Sequence, residues 1–164
     1  MRTRPDVPEL RSILRDADHV DVKTATADGT LRQFAAGALD MRPAWLTGLF
    51  KVRDAAARVL RLDPAGRLDQ RLTPENLPFT PGAKVHFFTV TEAVEDRYLL
   101  LETADRHLTA HLAIVAASDG DPTRFDLISV VRYHRRLGSL YFNLIRPFHL
   151  LVVGGMARAG ARAA

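Results

Sequence analysis

The 164-residue sequence contains no cysteine. Disulfide frameworks, thiol nucleophiles and thiolate metal sites are therefore excluded, and the composition fits a reducing compartment. Tryptophan occurs once, and aromatic residues make up only 7% of the chain. The basic residues do not cluster among these few rings, so no nucleic-acid partner is expected. Also missing are a Gly-rich phosphate loop, a dinucleotide fingerprint, a serine elbow, a zinc-protease motif and any Cys/His cluster. Their absence removes most kinase, hydrolase and metalloenzyme readings, and no cofactor is expected. The first ten residues carry Arg2, Arg4, Asp6 and Glu9 and lack the apolar stretch of a signal peptide, so a cytoplasmic protein is expected. Acidic residues are absent from Leu127 to Ala164, a stretch that holds Arg132, Arg135, Arg136, Arg146, Arg158 and Arg162. Such a tail suits an anionic partner, or simply complements the C-terminal end of a helix dipole.

What is present is ordinary globular material: 47% hydrophobic and 26% charged residues. The length fits one domain over residues 1–164 with room for a real core. Residues 1–15 form an N-terminal segment, with a short helix or turn at 8–16. Val20–Thr26 alternates as a strand, with Asp21, Lys23 and Ala25 opposite Val22, Thr24 and Thr26. Thr30–Leu39 reads as a short helix. A second helix starts near Pro43 with Asp40 as its cap, and Trp45, Leu46, Leu49, Phe50, Val52, Ala56, Val59 and Leu60 recur as an inward face. The proline-rich stretch 63–82 is a loop, with a short strand near 68–72.

Residues 84–134 are the most regular part. Lys84–Glu92, Arg97–Thr103, His107–Ala116 and Arg124–Tyr133 are β-rich runs joined by short polar turns, which permits only an antiparallel meander. Leu108, Ala110, Leu112 and Ile114 lie on one face; His107, Thr109, His111 and Ala113 lie on the other, expected to meet solvent. The last element, residues 137–159, is a helix with a stripe of Leu137, Leu140, Tyr141, Leu144, Phe148, Leu151, Val152 and Gly155. Asn143, Arg146 and His149 in its middle argue for a core-packing helix and against an integral membrane segment, because Arg at a bilayer centre costs about 2.5–3.5 kcal/mol. Pro147 should interrupt this helix, and Gly154 and Gly155 suggest close approach of another backbone. This order specifies an α+β, helix-grip fold. A curved antiparallel sheet wraps a long C-terminal helix, two shorter helices follow the first strand, and an apolar cavity lies between sheet and helix.

The same order is that of the START-type (SRPBCC) helix-grip superfamily, which includes polyketide cyclases, lipid-transfer proteins and the birch-pollen-allergen group. Val130-Val131-Arg132-Tyr133-His134-Arg135-Arg136-Leu137-Gly138-Ser139-Leu140-Tyr141, followed by Ile145-Arg146-Pro147-Phe148-His149, resembles the bacterial family called domain of unknown function 2867. The segment 105–108 and the helix from Trp45 to Leu60 resemble it too. The sequence departs from the family pattern at His19, Val22 and Thr109. The resemblance implies fold more than function.

Polar residues set in apolar sequence are the candidate site. His134, His149 and Tyr133 are candidates for proton transfer. Trp45, Phe88, Tyr133, Tyr141, Arg146 and His149 are candidates for holding a ligand, with Arg146 suited to an anionic group. The alternative is that these groups tie helix to sheet and satisfy the carbonyl freed by Pro147. Three imidazoles, His86, His107 and His111, have the ligand type of a metal site. A four-residue step along a strand separates two of the rings by about 13 Å, too far for one ion, so no metal site is expected. The expected function is binding of a small hydrophobic or aromatic molecule in the cavity, in the manner of polyketide cyclases. The alternatives are a structural module that forms a homodimer or docks a partner domain, and peripheral binding of anionic membrane by the basic tail.

Overall fold

The computed structural model describes residues 7–61, 68, 70–117 and 122–164. In chain order the elements are α1 (Pro8–Arg15), β1 (His19–Ala27), α2 (Leu31–Leu39), α3 (Ala44–Val59), β2 (Lys84–Val85), β3 (Phe88–Val94), β4 (Tyr98–Ala104), β5 (Leu108–Ala117), β6 (Thr123–Tyr133) and α4 (Arg136–Ala163). The strands form one antiparallel sheet in the order β1-β6-β5-β4-β3-β2. Strands β2 to β6 follow each other as a meander, and β1 closes onto β6 with His19 opposite Val131. The sheet curves around α4, which is the helix-grip architecture expected from the element order.

Register sorts the side chains into two cores. Leu101, Leu112, Ile114, Phe125 and Leu127 face α2 and α4, together with Leu31, Phe34, Val153 and Ala157. The opposite face carries Leu100, Ala113, Val115, Ile128 and Val130, covered by Val7 and Leu10 at the start of the described chain. The meander face expected to meet solvent is thus partly roofed by α1, and His107 on it is buried. Residues 1–6 of the N-terminal segment lie outside the described residues.

Local chemistry explains most boundaries. Thr30 caps α2 through a capping box: the Gln33 N–H donates to Thr30 Oγ1 at 3.3 Å, and the Thr30 N–H donates to Gln33 Oε1 at 2.8 Å. Arg32, on the exposed side of α2, donates to Glu95 Oε1 at 2.5 Å and to the carbonyls of Pro74 and Leu77, and lies over the Phe79 ring. One guanidinium thereby fastens the 71–79 loop and the β3–β4 turn to α2. Helices α2 and α4 nearly touch. A Cβ on Gly160 would stand 2.8 Å from the Phe34 carbonyl oxygen, and one on Gly37 2.9 Å from that of Ala159.

Several expectations are corrected. The Lys84–Glu92 run is two strands, because His86 turns back at φ 55° and lets β2 pair with β3. Asp40 does not cap the second helix. It ends α2, and its carboxylate accepts from the Leu72 N–H and Arg71 instead, leaving Pro43 at the start of α3. No strand forms at 68–72 among the described residues there; residue 69 lies outside them. On α3 only Leu46 and Ala57 are buried, while Trp45, Val52 and Val59 are exposed, because little of the fold reaches over that helix. Helix α4 runs unbroken through Pro147. Asn143 and Pro147 are both exposed, so water can take the freed carbonyl. The apolar stripe of α4 is split: Tyr141 is buried, whereas Leu140, Leu144, Phe148 and Leu151 are exposed. Gly155 faces the Met41 and Trp45 side chains, and Gly154 only Arg158; the close backbone contact falls at Gly160.

Candidate functional site

The alternation of β1 places its polar residues inward. Asp21 is opposite Ser129 and Lys23 is opposite Leu127, on the face that looks toward α4, while Val22 turns to the α1 side. Ser129 is itself buried, between Leu127 and Val131 on the same face of β6. Against this polar patch α4 sets His149. Its Nε2 shares a hydrogen bond with Ser129 Oγ at 2.9 Å. Its ring meets Phe142 edge-on at 5.3 Å and lies 6.3 Å from the ring of His19. Asp21 takes Lys23 on one oxygen at 3.1 Å, and its other oxygen, like His19 Nε2, is buried with no hydrogen-bond partner among the described residues.

Ser129 and His149 open onto a cavity of about 240 Å³ between the sheet, α3 and α4. Its wall is mostly apolar, with Phe87, Phe88, Leu108, Leu112, Phe142, Ile145 and Val152 prominent. Burial pushes the His149 imidazole down to about 4, reinforced by the charges of His19 and Lys23 and opposed by Asp21. At neutral pH the ring is therefore uncharged and keeps a lone pair on one nitrogen. The same cause, burial first and then Arg146, lowers His19, again against Asp21.

A second polar group stands across the cavity. Arg53 Nε donates to the Tyr141 hydroxyl at 2.8 Å, and burial raises the Tyr141 phenol despite this cation. Asp105 borders the cavity, but its Oδ1 accepts the His107 and Leu108 N–H groups at 2.6 and 2.9 Å, so it holds the β4–β5 turn. That turn also anchors α4: the His134 N–H donates to the His107 carbonyl at 2.8 Å, and a Cβ on Gly138 would run into the same oxygen.

Of the ligand-holding candidates, Phe88, Tyr141 and His149 line the cavity. Trp45, Tyr133 and Arg146 do not. Trp45 is exposed beside Gly155, and Arg146 points outward from α4. Tyr133 packs its ring on Phe142 at 5.9 Å, and its N–H donates to Asp18. His134 Nε2 bonds Thr109 Oγ1 at 2.8 Å, tying β6 to β5 away from the cavity. The three other histidines are apart in role. His86 Nε2 meets the Leu39 carbonyl at 3.2 Å, at the cavity wall. His111 Nδ1 lies 3.5 Å from Glu102, and both ring nitrogens of His107 are buried with no hydrogen-bond partner among the described residues. Ser129 and Arg53 line the cavity as well, though neither is among the candidates the sequence offers. The signal for Ser129 was present: it is the one hydroxyl in the period-2 series Phe125, Leu127, Ser129, Val131 of a core face.

A comparison with curated proteins finds no match. Among solved structures, the crystal structure of DynU16, a protein in the dynemicin biosynthetic locus, is similar with a TM-score of 0.38 and 16% identity over 86% of this chain. The chain spans 46% of the length of that protein. The family described as "Protein of unknown function (DUF2867)" matches residues 12–156. That match takes in every strand and all but the last turns of α4, and the chain belongs to this family.

Proposed function

We propose that the protein binds a small, mainly apolar or aromatic molecule in the cavity between sheet and α4, with the Ser129–His149 pair bonded to its polar group. The single observation that supports this is the pairing of an apolar wall with the half-buried His149 imidazole, hydrogen-bonded to buried Ser129 and opening onto it. Size sets the class of ligand. A cavity of about 150 Å³ takes benzene, so about 240 Å³ suits one or two rings or a short alkyl chain. In the finer reading, cyclase-like, a neutral His149 accepts a proton from an enolisable ligand, with Ser129 orienting the ring. Tyr133 and His134, off the cavity, have no part in that step. A cytoplasmic location belongs to the same proposal.

Native mass spectrometry after incubation with a panel of aromatic polyketides, phenols and short fatty acids tests it. A one-to-one complex is expected, lost when Ala110→Trp fills the cavity and weakened by Ser129→Ala. The absence of any complex across the panel, or equal binding by Ala110→Trp, would sink the proposal.

A further inference from the structure

Two helix faces beside the cavity are uncovered. On α4, Leu140, Leu144, Phe148 and Leu151 follow at helical spacing and are all exposed. On α3, Trp45, Val52 and Val59 do the same. Among the described residues these are all the exposed large hydrophobics except Val20 on β1. Val52 and Phe148 also line the cavity, so the two rows meet at its mouth.

Charge selects the occupant. The α4 row is preceded by Arg136 and continued past Gly155 by Arg158 and Arg162, in steps of three or four residues, and all three arginines are exposed. Helix α4 contains no acidic residue; α3 contains one, Asp54, against Lys51, Arg53 and Arg58. A second copy docking through this face would set these cations against one another. An anionic lipid surface fits instead, with the apolar row at the acyl boundary, arginines at the phosphates and a tryptophan at the interface. The row from Leu140 to Leu151 extends about 16 Å at roughly 1.5 Å per residue. By length and composition alone α4 is apolar enough to cross a membrane, yet only 28% of its most apolar stretch is buried. Its other face holds the sheet and α2 through Tyr141, Phe142, Val153 and Ala157. A helix fixed on one side and apolar on the other lies in the interfacial plane and does not span.

We propose that the α3–α4 face docks on an anionic lipid bilayer, with Leu140, Leu144, Phe148 and Leu151 in the interface and the cavity mouth turned to the lipid. This surface stands on the exposed rows and their charges, whether or not the cavity holds a ligand.

The test is co-sedimentation of the full chain with phosphatidylcholine vesicles, with and without phosphatidylglycerol, alongside the emission of the single tryptophan, Trp45. The protein should pellet with the anionic vesicles, and its emission should shift to the blue. Combining Leu140→Glu with Leu144→Glu, both outside the cavity wall, should lower the partition about tenfold or more. Circular dichroism and the melting midpoint check that this variant folds; if it does not, Arg158→Glu with Arg162→Glu takes its place with the same direction expected. Failure to pellet with anionic vesicles overturns the proposal. So does pelleting with no change in Trp45 emission, which puts the contact elsewhere. A concentration-dependent dimer abolished by the leucine substitutions, without vesicle binding, would assign the face to a second copy.

Discussion

Between neutral and acid pH, His149 takes up a proton in the unfolded chain well before it does so in the folded one. Burial lowers its pKa from 6.5 to about 4. Above 6.5 the ring is neutral in both states and the folded protein has its full stability. As the pH falls from 6.5 toward 4, the unfolded chain gains a proton that the folded chain refuses, so stability drops by up to about 1.4 kcal/mol per pH unit. Between about pH 7.5 and about pH 4.5 the loss through this one ring comes to about 2.5 kcal/mol, against roughly 5–15 kcal/mol for a whole domain. His19 and His111 are lowered by burial too and push the same way. The comparison therefore needs a variant. His149→Gln keeps an amide near Ser129 and does not titrate. Urea unfolding followed by circular dichroism, at both pH values, should show wild type losing about 2.5 kcal/mol more than His149→Gln. Parallel pH dependences would refute the reasoning, as would an imidazole titrating near its ordinary value by NMR.

Pro147→Ala should raise stability by roughly 1–3 kcal/mol in thermal melts, since it restores a helical hydrogen bond at an exposed site; a lower midpoint would mean that the ring has a packing role. Gly138→Ala should cost about 2–3 kcal/mol, because the added methyl meets the backbone carbonyl of His107 and not a movable side chain; an unchanged midpoint would disprove that closeness. Thr30→Ala should cost about 1 kcal/mol through loss of the capping box, measured by urea unfolding; no loss would show that α2 is held by its packing alone.

The fold was legible where period and turn chemistry agree. The runs from Tyr98 to Tyr133 are β-rich and are joined by turns too short for any other pairing, so the meander could be read directly. The long last helix and its place in the grip followed from the stripe around Tyr141. Polarity is a poor guide to exposure on β1: Asp21 and Lys23 carry charge, yet β6 sets buried Ser129 opposite Asp21 and α4 lays His149 against Ser129. Nothing local to residues 19–23 reports a helix that begins more than a hundred residues later. The converse holds on α3 and α4, where apolar spacing does not secure burial: Trp45, Val52, Leu140 and Leu144 have the right period yet are exposed. Pro147 does not interrupt α4, because the cost of an internal proline depends on what surrounds its ring and the orphaned carbonyl, and here both are exposed to solvent.

The pairing of β1 with β6 also orders the events of synthesis. The Tyr133 N–H that donates to Asp18 lies 115 positions further along the chain. As the polypeptide leaves the ribosome, β1 emerges early and finds no hydrogen-bonding neighbour, whereas β2 to β5 meet theirs within a few residues. The ladder of β1 waits for β6, and the helix that roofs the polar patch arrives last of all. A nascent chain stopped short of Thr123 therefore holds most of a sheet but leaves its first strand an open edge, available to another chain.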